Sequence, residues 1–443
     1  DGASITSVAN ADVEPILIFR DYQFNQATVD AVFNLEDTSM AWFDAKDVDG
    51  DGDTRDQVLG VKVQTWVDKS NNGFDQQLEQ GNGAGTGAEG LNFGNDYYRH
   101  VLAEDLVVGT SFTAFYAVES DINNGIRNFM SLAGYSAAGF EGNNIRASFF
   151  ANGYGSAGGF DSNEVGITND VRQPMIVSNQ VSEGHMSVHQ NGTLINSLTG
   201  ADDVLVVPQG RTFTVGAAPN EENRFDGKLK EILLFNTALT SAEVAQVHNY
   251  LSAKWNNALG DGLDYYAGDT LANGDYDTDV NGILKLADSK VSAAKRGGLI
   301  INNIDFLKDS GDAVFAGHNN AFGSSTANLP SGSANMRSQT IWYLDASDEA
   351  TGGGQISLNF ELDQFGLEMT GASSDYFLLW RAGQTGQFHH IAMADRVEGN
   401  MVGFDDISVN TQASNALIQS STDLINDGYF TVGVNDYLAP EYA

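Results

Sequence analysis

The sequence predicts an all-β protein built as two β-sandwich domains, and three observations carry that expectation. Short runs alternate apolar and polar residues at the period of a half-buried strand, TSFTAFYAVES (110–120) most clearly. Glycine is abundant at 49, proline is rare at 6, and Asn-Gly pairs recur, the punctuation of many strands joined by tight turns. Across 443 residues, one segment alone carries a convincing helix signature.

Residues 1–37 read as a lead segment. VEPILIFRDYQF and VDAVFNL within it are strand-like, but too short for a core of their own; they are expected to add an edge strand to a neighbouring sheet, in this molecule or another. Residues 38–256 carry a continuous β signal and form the first domain. RASFFANG (146–153) and RTFTVGAA (211–218) alternate as strands do, and MSVHQNGTLINSL (186–198) is a hairpin. Its Asn191-Gly192 pair tolerates the positive φ of a two-residue turn. FDGKLKEILLFNTAL (225–239) is a turn and a buried strand. Next comes the helix: Thr240 and Glu243 make a capping box, and Val244, Val247, Leu251 and Trp255 share one face. It is expected to lie across one end of the sandwich. NNALGDGLDYYAGDT (256–270) is a connector, and residues 257–443 form a second, smaller β-sandwich. Its strands are QTIWYLDA, QISLNFEL, YFLLWRA, FHHIAMA and YFTVGV, with GGG (352–354) as a hairpin turn.

Fifty-nine acidic against 22 basic residues leave a formal charge of −37, which disfavours nucleic acid and anionic membrane as partners. Cysteine is absent, so no disulfide staples the fold, as in many exported bacterial proteins. No run of apolar residues is long enough to span a bilayer, so no membrane insertion is expected. The opening DGASITSVANADVEP lacks a basic start and an apolar stretch; an export signal is expected to have been removed already.

The sharpest chemical statement is DVDGDGDTRD, with carboxylates at Asp47, Asp49, Asp51, Asp53 and Asp56. Alternate acids with glycines between them let a short loop fold oxygens around a hard cation, and calcium takes about six to eight of them. Asp47, Asp49, Asp51 and Gly52 match the helix-loop-helix calcium template, but Val58 stands where its bidentate acid belongs and the flanks look like strands. The expectation is a calcium-holding loop between strands, against a plain acidic turn. DYDTDVNG offers a second set, Asp275, Asp277 and Asp279, with a plain turn as the equal alternative.

Four stretches, AWFDAKDVDGDGD (41–53), VQTWVDKSNNGFD (63–75), HQNGT (189–193) and RFDGKLKEILLFNTALTSAEVAQVHNYLSAKW (224–255), occur in the order seen in one family. On them, residues 41–255 resemble the bacterial laminin-G-like domains of the concanavalin-A-type jelly rolls. Asn71 departs from the glycine usual in the second stretch. Residues from about 257 on resemble, through GDYDTDVNGI, DAVFAGHNNAF, YFLLWRAGQTGQF and DGYFTVG, a β-rich domain of unknown function common in secreted bacterial surface proteins. The first resemblance implies a jelly-roll sandwich that binds glycans or proteins, often beside a calcium ion, with that role carried to Asp47, Asp49, Asp51, Asp53 and Asp56 alone.

Catalytic patterns are weak. Jelly-roll hydrolases place paired acids on one strand; Glu361 with Asp363 is the nearest approach and reads as outward-facing strand residues. His185 and His189 lack a third zinc ligand at a recognisable spacing, and His389-His390 point to opposite faces. GNGAGTGAEG (81–90) lacks the Lys and helix of a phosphate loop and reads as a surface loop. Asp44 and Asp68, each two residues after a Trp, are expected to orient loops, and the five tryptophans to be core. Tyr97, Tyr98, Tyr135 and Tyr154 lie in Gly- and Asn-rich stretches and are candidate sugar-stacking residues. The expected protein is a non-catalytic, calcium-stabilised adhesin at a bacterial surface, with a glycan as the favoured ligand. The alternative is a structural subunit of an extracellular fibre, sheath or layer that binds copies of itself. A polysaccharide-cleaving enzyme comes third.

Overall fold

The structure, a computed structural model, describes residues 32–133, 136–149, 160–166, 170–200, 204–332, 334–349, 352–367 and 371–435. The VEPILIFRDYQF stretch lies outside them.

Two eight-stranded antiparallel sheets face each other in the first half of the chain. One runs in the order 160–166, 144–149, 136–141, 126–132, 212–215, 97–101, 76–80 and 65–66. The other runs 193–199, 185–190, 175–182, 112–120, 226–235, 90–94 and 85–87, with Ala41–Asp44 also paired to Asp226–Phe235. Aromatic rings from the two inner faces interlock between the layers: Tyr116 and Phe129 lie 4.9 Å apart, and Phe43 meets Phe213 at 5.7 Å. Pairs at such separations add to the area term of burial. Asn191 (φ +50°) and Gly192 (φ +80°) make the turn between His185–Gln190 and Thr193–Thr199.

The second half forms a seven-stranded and a nine-stranded sheet. Trp342 of the larger packs on Phe360 of the smaller at 5.3 Å and on Phe365 at 4.6 Å. All five tryptophans are buried. Phe33–Asn34, the described end of the lead segment, pairs in parallel with Ala293–Arg296 of this second sandwich in the same chain.

Three expectations need correction. The GGG segment is not a hairpin turn, because Trp342–Ser347 and Gly354–Glu361 belong to different sheets and the chain crosses between layers there. The Gly-rich run 81–90 is not merely a surface loop: Gly85–Gly87 pairs with Gly90–Gly94 as a hairpin. Phe112–Ser120 alternates like a half-buried strand but is buried on both faces, because a helix covers its outer side.

That helix, Ser241–Trp255, has the capping box read from the sequence. It lies between the two sandwiches rather than across one end. One side meets the first sandwich, with His248 on Phe115 at 5.2 Å. The other meets Thr278–Lys285, where Gln246 Nε2 donates to Asn281 Oδ1 at 3.1 Å. Burial on all sides explains why its polar residues have internal partners, as buried polar groups require. Ser178 Oγ lies 3.0 Å from His248 Nε2, and Asn249 Nδ2 donates to the Leu263 carbonyl at 3.0 Å. Among the described residues, no helix is long and apolar enough to cross a membrane.

Candidate functional site

The acidic loop leaves the strand Ala41–Asp44 and is tied back by Val67 N–H donating to the Val48 carbonyl at 3.0 Å. Gly50 sits at φ +71°, and a Cβ there would meet Val67 Cγ1 at 2.8 Å, so a side chain is excluded by both backbone and space. This path gathers one oxygen each of Asp47, Asp49 and Asp51 within 4.8 Å of one another. Asp47 is 1% exposed. Its Oδ2 accepts from Gly52 N–H at 3.0 Å and lies 2.5 Å from Lys69 Nζ. Its Oδ1 is buried, and among the described residues no donor reaches it. Asp49 is raised above the ordinary carboxylate range by partial burial and then by the charge of Asp51.

Asp53 and Asp56 do not join this group. Asp53 turns to Arg55, with Nε at 2.7 Å and Nη2 at 2.8 Å, and that guanidinium lowers its carboxyl. Asp56 is exposed. Nor do Asp275, Asp277 and Asp279 gather as a ligand set. Asp279 pairs with His318 at 3.1 Å, and Asp277 faces Lys46 of the first sandwich at 3.7 Å. Burial would raise Asp279, but His318 and then Arg296 hold it below the carboxylate range. Both acidic stretches of the sequence thus border the same polar junction between the sandwiches. Asp44, Lys69, Asp277 and Asp279 line a cavity of about 290 Å³ there.

Behind the loop runs a buried chain of charges. Lys69 lies 3.3 Å from Asp44, Lys254 lies 2.5 Å from Asp44, and Lys254 lies 2.9 Å from Glu231. Glu231 also accepts from Trp42 Nε1, Trp255 Nε1 (both 2.7 Å) and the Tyr250 hydroxyl (2.6 Å). Asp68 orients the next loop by accepting from Trp42 N–H at 2.9 Å and Phe74 N–H at 3.1 Å. Glu361 ends the strand Gly354–Glu361 and pairs with Lys295 at 2.7 Å, whereas Asp363 lies beyond the strand in the 3-10 turn Leu362–Phe365 and accepts from Asn400 Nδ2 at 2.8 Å.

The tyrosine expectation fails where the structure describes it. Tyr97 and Tyr98 are 2% and 0% exposed in the strand Tyr97–Val101. The Tyr98 hydroxyl accepts from Ala84 N–H at 2.7 Å and donates to the Val63 carbonyl at 2.9 Å. Neither ring offers a face to a sugar. Tyr135 and Tyr154 lie outside the described residues.

The recess on the jelly roll is elsewhere. The outer face of the strands Ile126–Leu132, Ser136–Glu141 and Asn144–Phe149 carries a groove of about 390 Å³. Small residues floor it, Ser131, Ala137, Gly139 and Ser148, while Arg146 and Asn223 stand at its sides. These residues carry no aromatic or acidic signature in the sequence. The available signal was small and polar residues on the outward register of adjacent strands, opposite inward Phe129, Phe140 and Ile145.

Residues 95–245 match a laminin G member of the concanavalin A-like lectin/glucanases superfamily. No curated protein matches the chain. Among solved structures, it is similar to a Trypanosoma rangeli sialidase at 14% identity and a TM-score of 0.33, over 49% of this chain and 33% of that one. The carbohydrate-binding module of a Ruminococcus gnavus sialidase is similar at 11% identity and a TM-score of 0.24, over 32% and 79%. Domain 4 of an extracellular arabinanase from Geobacillus stearothermophilus is similar at 15% identity and a TM-score of 0.32, over 47% and 96%. The chain spans about a third of the sialidase's length, and likenesses this distant carry no argument about activity. Residues 95–245 match that superfamily model over about a third of the chain, and the facing eight-stranded sheets to which they contribute have a concanavalin A-like jelly-roll fold.

Proposed function

We propose that this chain recognises glycans without cleaving them, as part of an exported bacterial surface protein. The groove on the outer face of the jelly roll carries the reading. Its floor of small side chains admits a sugar ring, and the amide of Asn223 at its side suits hydroxyl groups. Its lining holds no carboxylate among the described residues, whereas glycoside hydrolysis ordinarily requires two. The acidic composition and the lack of cysteine support export. Phe33–Asn34 pairs within its own chain, so no strand donation to a neighbour is proposed for those residues.

The test is a glycan array on purified protein, followed by calorimetry with the strongest polysaccharide for wild type and Ala137→Trp. The indole fills the floor of the groove from its solvent side, so binding should weaken by at least about tenfold while the melting temperature holds. Undiminished binding by the variant, or no binding on the array, refutes the groove. Release of new reducing ends from the bound polysaccharide refutes recognition without cleavage.

A further inference from the structure

We propose that Asp47, Asp49 and Asp51 hold a calcium ion, and that this ion secures the contact between the jelly roll and the second sandwich. The inference is independent of glycan binding, since the groove and the loop share no residue.

Charge and hydrogen bonding both call for a cation. The buried chain Asp47–Lys69–Asp44–Lys254–Glu231 contains three carboxylates and two ammonium groups, joined by contacts of 2.5, 3.3, 2.5 and 2.9 Å. One negative charge is left over. The oxygen without a donor among the described residues is Asp47 Oδ1, and it belongs to the carboxylate that gathers with those of Asp49 and Asp51. A buried carboxylate oxygen with no hydrogen-bond partner is costly, and a bound cation removes that cost. Nearby side-chain cations are committed elsewhere, Arg55 to Asp53 and Lys46 toward Asp277. An all-oxygen donor set selects a hard ion, and an irregular loop with exposed Asp49 and Asp51 suits calcium's flexible coordination better than magnesium's octahedron.

The loop's next residues reach the second sandwich. Thr54 Oγ1 accepts from Asn320 Nδ2 at 3.1 Å, and the Arg55 guanidinium lies 4.1 Å from the centre of the Phe322 ring. Repulsion among three carboxylates pushes the loop open, and an ion at their centre reverses that force. Calcium therefore holds Thr54 and Arg55 against Asn320 and Phe322.

The experiment uses the full chain, stripped with chelator and titrated with calcium alone by calorimetry, with terbium luminescence as a second readout. Asp49→Asn and Asp51→Asn alter exposed groups and leave the buried pairs intact, whereas Asp277→Asn probes the other acidic stretch. Wild type and Asp277→Asn should bind one ion, and the two loop variants should lose at least about tenfold in affinity, because ligand charge sets calcium affinity. Hydrogen exchange at residues 319–322 should slow with calcium in wild type but not in the loop variants. No binding at millimolar calcium, loss of binding in Asp277→Asn instead, or equal affinity for magnesium overturns the calcium site. Binding without protection at 319–322 overturns its role at the junction.

Discussion

Lys254→Met removes one ammonium group from the buried charge chain and keeps most of the aliphatic stem. Lys254 Nζ lies 2.5 Å from Asp44 Oδ2, 2.9 Å from Glu231 Oε2 and 2.7 Å from the Tyr250 hydroxyl. Without it Glu231 keeps its two indole donors and the Tyr250 hydroxyl, but Asp44 is left with Lys69 at 3.3 Å and the Lys46 N–H at 2.9 Å. Breaking a buried pair by removing one partner costs about 3–5 kcal/mol. Linkage gives a second, independent figure. Burial by itself would raise the Asp44 carboxyl, yet Lys254 and then Lys69 bring it down to about 2 from 3.8. A depressed folded value contributes stability that is complete above pH 3.8 and disappears as pH falls through 2, here on the order of 2–3 kcal/mol. In the variant the lowering by Lys254 is lost, so the folded value rises and the Asp44 contribution shrinks. Urea denaturation at pH 7 and pH 4 reads both effects. The variant should lose about 3–5 kcal/mol at pH 7 and noticeably less at pH 4. A loss below about 1 kcal/mol at pH 7, equal at both pH values, would mean that water reaches this network and that the buried-charge argument fails.

Burial, with the charge of His189, lowers His248 from 6.5 to about 3, so its stability contribution is complete above pH 6.5 and fades toward pH 3. His248→Gln should flatten the acid limb of stability against pH by about 1.4 kcal/mol per pH unit in that window, measured by denaturant midpoints. Asp345 shows the opposite sign: burial, and the charge of Asp427 against the Ala267 N–H, leave it at about 6, above the usual 3.8. Its contribution is complete below pH 3.8 and lost as pH rises through 6, so Asp345→Asn should stabilise by about 1–3 kcal/mol at pH 7.5 and be neutral near pH 3.5. Thr240→Ala removes the acceptor for Glu243 N–H, and thermal melts should register a loss of about 1 kcal/mol.

Local chemistry made much of this protein legible before any coordinates. The capping box, the Asn191-Gly192 turn and the acidic run at Asp47 rest on neighbours within a few residues, so their sequence patterns state their geometry. Tyr97 and Tyr98 were misread for the converse reason: Gly and Asn around them suggested a loop, but pairing with Gln76–Gln80 and Thr212–Val215 makes a central strand and buries both rings.

By itself the sequence determined an all-β chain, an order of strands and turns, one capped helix and a loop rich in carboxylates, because period, turn residues and charge act over short distances. Tertiary structure alone decided three further things. It set Ser241–Trp255 between the sandwiches, where burial on every side requires His248 and Lys254 to find distant partners. It sorted the second acidic stretch, turning Asp277 toward Lys46 and pairing Asp279 with His318. It also placed small residues of three strands side by side to open the groove. Each outcome depends on which groups, remote in the chain, share a volume from which water is excluded, and no short-range pattern specifies that.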